Sequence, residues 1–179
     1  MRMCYIVILG ALLIISCNKG EKLPIEPSPY WGEISADKNG ERWMASPYAI
    51  ININLNRNDI MDLAFHFYDQ YGIRRESCSL YKVPLVKGTY PVVNTLISKK
   101  DSLVGGNFFY VEDDVLYGSY DILESDSSSF VSLLSYDSIT KEVKGKFDLT
   151  FIVINKPYPD APDTIRLRNG TFHTRIFKN

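Results

Sequence analysis

The sequence predicts an all-β fold: a single antiparallel β-sandwich or partly open barrel of about nine or ten strands, preceded by a signal helix and an extended tether. Three observations carry this reading. Apolar residues recur at every second position in run after run, the spacing of a half-buried strand. Turn-forming residues separate those runs, with Asn-Gly pairs at 39–40 and 169–170. Aromatic and β-branched residues fill the apolar positions, and the chain holds twelve tyrosines, nine phenylalanines and two tryptophans, types that suit a pleated, half-buried surface.

Residues 1–16 read as a lipoprotein signal peptide. Met1 and Arg2 give a positive start, and Cys4 to Ile15 then runs without a charged group. As a helix that run covers roughly 18 Å against a hydrocarbon core of roughly 30 Å, so it is too short to span. Ile14-Ile15-Ser16-Cys17 resembles the bacterial lipobox, with Ile14 standing where leucine is usual. The resemblance implies cleavage before Cys17, diacylglycerol on its sulfur and an acyl group on its new amine. The membrane is then a partner through the lipid on Cys17, and more than one acyl chain holds firmly where a single chain binds only reversibly.

Residues 17–30 follow as the lipidated cysteine and an extended linker, in which Pro24, Pro27 and Pro29 favour an extended spacer. Cys4 leaves with the leader and Cys17 carries lipid, so Cys78 is left without a disulfide partner and the core alone must hold the exported domain. After the leader the chain carries 19 basic and 21 acidic residues with no long run of either sign. That pattern supplies no concentrated basic face and argues against nucleic acid as a partner.

The domain is placed at 31–179. "EISADKNGERWMAS" centres a two-residue type I′ turn on Asn39-Gly40, which sets Lys38 opposite Glu41, Asp37 opposite Arg42 and Ala36 opposite Trp43. "YAIININLN" puts Ala49, Ile51, Ile53 and Leu55 on one face and Asn52, Asn54 and Asn56 on the other. In "IMDLAFHFYDQYG", Met61, Leu63, Phe65 and Phe67 face inward against Asp62, His66 and Tyr68. A strand is expected around Glu76 to Val83, and a short one in "VKGTYPV". "NFFYVEDDVLYGSYDIL" reads as strand, acidic turn, strand. "SSFVSLLSYD" and "EVKGKFDLTFIVIN" flank the turn "SITK", with Phe147, Leu149, Phe151 and Val153 inward and Lys144, Lys146 and Asp148 outward. "TIRLRNGTFHTRIF" predicts a closing hairpin about Asn169-Gly170, with Leu167 across from Phe172 and Arg166 across from His173. No long helix is expected. The polar outward faces argue against a transmembrane barrel.

"ISADKNGERWMA", "LVKGTYPV", "VKGKFDLTF" and "IRLRNGTFHTRI" together resemble an uncharacterised family of small exported all-β lipoproteins of the Bacteroidota. The resemblance covers roughly Trp31 to Asn179, and "NKPYPDAPD" is a longer connection than that family's pattern has. It implies a lipid-anchored protein of the cell envelope, at the outer membrane. It implies no activity.

Few residues carry a chemical signature. His66 and His173 are the two histidines, both expected on outward strand faces without a second histidine at ligand spacing, so no metal centre and no cofactor is expected. Neither a G-x-S-x-G elbow nor a phosphate-binding loop occurs, and Gly105-Gly106 reads as a bend before a strand. Cys78 reads as an inert, half-buried strand residue. The aromatic content is the distinctive feature, and Tyr68, Tyr71, Tyr117 and Tyr158 are candidate outward or loop positions for gripping a ligand. The function expected is a non-enzymatic binding or interaction module for a glycan, a peptide or an envelope protein. The alternatives are a lipocalin-like carrier, which needs an apolar cavity of about 300 Å³ or more, and a hydrolase, whose paired carboxylates would meet in space rather than in sequence.

Overall fold

The structure is a computed structural model that describes residues 31–51, 57–101, 103–123 and 128–177. The leader, Cys17 and the linker lie outside the described residues, as do Asn52, Ile53, Asn54, Leu55 and Asn56. Strand accounts for 71% of the described residues.

Strands β1 (Gly32–Lys38) and β2 (Glu41–Ile51) are joined by Asn39 and Gly40, with φ of 51° and 91°. Both values belong to a type I′ turn, whose twist matches the flanking strands. The register is the one expected, with Lys38, Asp37 and Ala36 opposite Glu41, Arg42 and Trp43. Then come β3 (Ile60–Tyr68), β4 (Arg74–Pro84), β5 (Gly88–Val93), a seven-residue helix α1 (Thr95–Asp101), β6 (Val104–Glu112), β7 (Val115–Ile122), β8 (Phe130–Tyr136), β9 (Glu142–Asn155) and β10 (Thr164–Phe177).

All ten strands belong to one sheet. Its pairings run from β1 through β2, β3, β4, β6, β7, β9 and β10 and return to β1, so the sheet curls into a ring. The length of β9 makes this possible: Val143 to Asp148 pair with β8, and Phe151 to Asn155 pair with β7. Strands β5 and β8 pair with each other and give β6 and β9 a second connection.

Alternation fills the ring. Met61, Leu63 and Phe65 of β3 and Phe147, Leu149 and Phe151 of β9 are buried, Phe67 and Val153 are half-buried, and Lys144 and Lys146 are exposed. The rings meet across the interior, with centroids 5.3 Å apart for Phe65 and Phe147, 6.0 Å for Phe65 and Phe172 and 5.9 Å for Phe108 and Phe151.

Four expectations need correction. There is no closing hairpin: β10 is one strand, paired with β1 on one edge and β9 on the other. Leu167 pairs with Leu149 and Gly170 with Phe147, so Arg168 and Asn169 together oppose Asp148 in a β-bulge. Asn169 has φ of 52°, its N–H donates to Asp148 Oδ1 at 2.7 Å, and its side-chain amide donates to Asp37 at 2.9 Å. Asn-Gly signals a left-handed residue, and a bulge uses that residue as readily as a turn does. With both edges of β10 already paired, no edge is left on which the strand could fold back.

Gly105 and Gly106 lie inside β6, not in a bend before it. The unanticipated helix α1 packs over this strand: a Cβ on Gly105 would sit 2.6 Å from Ser98. Asn94 caps the helix by accepting the Ile97 N–H at 2.9 Å. Cys78 is fully buried rather than half-buried, and burial, with the Glu76 charge second, raises its thiol above the ordinary range. It is correspondingly inert.

His66 is on the face opposite Phe65 but is only 8% exposed. Ser46 and Ser77 are its cross-strand neighbours and the Tyr68 ring lies 6.4 Å away. Burial, followed by the charge of Arg74, lowers its pKa to about 4. The folded state therefore holds a neutral imidazole that the unfolded chain, titrating near 6.5, protonates first. This contribution is complete above about pH 6.5 and is lost as pH falls toward 4, by about 3 kcal/mol in all. Urea unfolding between pH 7.5 and 4 measures it, and His66→Gln should flatten that part of the profile. An unchanged slope in the variant would assign the loss to other groups.

Candidate functional site

Four connections gather at one end of the ring: the Asn39-Gly40 turn, the 69–73 turn, the Asp113-Asp114 turn and the 156–163 loop. Short polar contacts brace them. Asn39 N–H donates to Arg166 O at 2.9 Å, Asp113 N–H to Arg74 O at 3.2 Å, and Arg75 reaches Asp69 at 2.8 Å and Glu112 at 3.0 Å. The chain enters at the other end, where Gly32 pairs with Thr174 and the Trp31 ring lies under the Arg175 guanidinium, 4.5 Å from its centroid.

Inside the loop-bearing end lies Glu76, 6% exposed and on the same face of β4 as Cys78 and Leu80. Each oxygen of its carboxylate has a protein donor: Lys38 pairs with one, and Trp43 Nε1–H donates to the other at 2.8 Å. Tyr110 is its cross-strand neighbour on β6. Around Tyr110 stand Tyr120 at 5.9 Å, Tyr117 at 6.2 Å and Tyr158 at 6.4 Å between ring centroids. Tyr120 is buried, and its hydroxyl donates to Pro162 O at 2.9 Å, which ties the 156–163 loop down over the cluster. The hydroxyls of Tyr110, Tyr117 and Tyr158 have no hydrogen-bond partner among the described residues.

Burial raises the pKa of Tyr110, Tyr117 and Tyr120, and for Tyr110 the Glu76 carboxylate adds to the effect. All three phenols are therefore neutral at physiological pH, able to donate and accept. Glu112 and Asp163, the other carboxylates acting on these tyrosines, are exposed and paired with Arg75 and Lys156 at 3.0 and 2.8 Å. What the cluster offers is aromatic surface and hydroxyl groups around a carboxylate already matched by a cation.

Of the four tyrosines expected to grip a ligand, the fold brings together Tyr117 and Tyr158, both around Tyr110. Tyr68 is separate, half-buried on the outer face beside His66. Tyr71, 62% exposed, sits in the 69–73 turn at the same end. Cys17 lies outside the described residues. The sequence reading missed Glu76, Trp43, Tyr110 and Lys38 as members of one cluster. A signal existed for Glu76, a charged residue at an inward position of its strand, two before Cys78 and four before Leu80.

Among the described residues no three His, Cys, Asp or Glu side chains converge in a way that could hold a metal ion, and no helix is long and apolar enough to cross a membrane. Comparison of the chain with protein families, curated proteins and solved structures found no match.

Proposed function

We propose that this chain is a non-enzymatic, lipid-anchored protein of the cell envelope, held at the outer membrane through Cys17, whose loop-bearing end binds a glycan. The observation that carries the binding reading is the convergence of Tyr110, Tyr117 and Tyr158, with unpartnered hydroxyls, around a neutralised Glu76. Aromatic faces stack on sugar rings and phenols bond their hydroxyls, and a site without uncompensated charge suits a neutral polyhydroxy ligand. Placement at the envelope is supported by the lipobox and by the resemblance to Bacteroidota lipoproteins. The aromatic packing across the interior supports a surface site over a carried apolar ligand. The engagement of Glu76 by Lys38 and Trp43 supports binding over acid–base catalysis.

Two measurements test this. Intact mass of the membrane-extracted protein should give a chain starting at Cys17 with acyl groups; an intact leader or an unmodified terminus removes the anchor. A glycan array with the purified protein should give saturable binding, and Tyr158→Ala should weaken it about tenfold, equivalent to roughly 1.4 kcal/mol. Stability should change by less than about 0.5 kcal/mol, since Tyr158 is 49% exposed. Absence of glycan binding, with an envelope protein or peptide captured instead, would replace the ligand class.

A further inference from the structure

A separate groove of about 400 Å³ lies between the Asn39-Gly40 turn and β10, lined by Asp37, Asn39, Gly40, Arg166 and Arg168. Its volume falls within the range that holds small molecules, roughly 300 to 1,000 Å³. The backbone that frames it is pinned. Asn39 Oδ1 accepts the Arg166 N–H at 2.8 Å, and Asn39 Nδ2–H donates to Thr164 O at 3.2 Å. Around Gly40 there is open space, with no atom within 4 Å of where a Cβ would stand.

The two cations in the groove are held differently. Arg168 is half-buried and donates to Thr150 Oγ1 at 2.8 Å, which sets its position. Arg166 is exposed, with no partner for its guanidinium among the described residues. Asp37, the one carboxylate present, already accepts the Asn169 side-chain amide at 2.9 Å. On the neighbouring strand Asp148 is half-buried and accepts the Asn169 N–H at 2.7 Å, and Lys146 and Lys144 stand farther along, opposite Thr171 and His173.

We infer that this groove is a binding site for a small polar ligand carrying a carboxylate or phosphate group, with Arg166 as its principal contact. The planar fork of a guanidinium matches the two oxygens of such a group. The inference is independent of the glycan reading, because the groove shares no residue with the tyrosine cluster.

Isothermal titration of the full mature protein in detergent tests it, with glucuronate and inorganic phosphate as separate probes. Saturable binding of either probe is expected, weakened about tenfold by Arg166→Gln. Arg166→Lys should recover only part of the affinity, because it restores charge without the fork, and Lys144→Gln, at the far end of β9, should leave it unchanged. Which probe binds assigns carboxylate or phosphate. Binding to phosphatidylglycerol vesicles that Arg166→Gln also weakens assigns a lipid headgroup as the phosphate source. The inference is overturned if neither probe binds, or if Arg166→Gln binds like the unaltered protein while unfolding at the same urea concentration.

Discussion

Glu76→Ala is expected to lower the free energy of unfolding by about 3–5 kcal/mol, the cost of breaking a buried ion pair from one side. Glu76 accepts from Lys38 and from Trp43 Nε1–H, so its removal leaves a cation and an indole donor without their partner at a largely buried site. Desolvated donors left unpaired cost far more than the pair itself contributes. Replacing both charges by apolar groups, as in Lys38→Met with Glu76→Leu, should therefore recover the part of the loss that comes from the stranded cation, while the Trp43 indole N–H stays unpartnered. Urea unfolding followed by tryptophan fluorescence measures both. A loss below about 1 kcal/mol for Glu76→Ala would mean that water already satisfies these groups.

Phe147→Ala should cost about 3–5 kcal/mol, in the range for emptying a buried aromatic site. The Phe147 ring stacks on Phe65 and also lies over Gly170 of the neighbouring strand, so close that a Cβ there would meet it at 2.3 Å. Its counterpart is Phe172, whose ring lies 2.2 Å from where a Cβ on Gly145 would stand. Strands β9 and β10 thus hold two reciprocal ring-over-glycine pairs, each a large side chain accommodated by the absence of one directly opposite. A double-variant cycle separates this packing from simple burial. Gly170→Ala alone should cost about 2 kcal/mol from overpacking, and close to nothing when Phe147 is already alanine. Additive costs would show that the ring and the glycine are not matched to each other.

The first hairpin was legible residue by residue, because Asn39-Gly40, two opposite-charge pairs and an Ala–Trp pair all call for one register. The second Asn-Gly was misread for a reason of the same kind. A left-handed residue serves a turn when a free strand edge waits beside it, and a bulge when both edges are taken. Only the pairing partners of β10 distinguish the two, and those partners, β1 and β9, come from opposite ends of the domain. The burial of His66 escaped notice similarly: alternation gives the side of a strand, not what neighbouring strands lay across it.

The candidate sites show the same division. Tyr117 and Tyr158 could be picked as aromatic loop or edge positions, but their meeting at Tyr110, over a carboxylate from β4 matched by a lysine from β1, is a property of ring closure. Likewise no long run of basic residues occurs in the sequence, yet Arg166 and Arg168 of β10 line one groove with the Asn39-Gly40 turn from the other end of the domain.

The sequence by itself determined the all-β class, nearly every strand, the first turn and most of the inward apolar side chains, because these depend on alternation and turn chemistry over a few residues. The tertiary structure alone decided the ring of strands, the bulge in β10 and the company that each polar side chain keeps. Those depend on which distant strands share an edge, and a pairing between residues a hundred positions apart leaves no local mark in the chain.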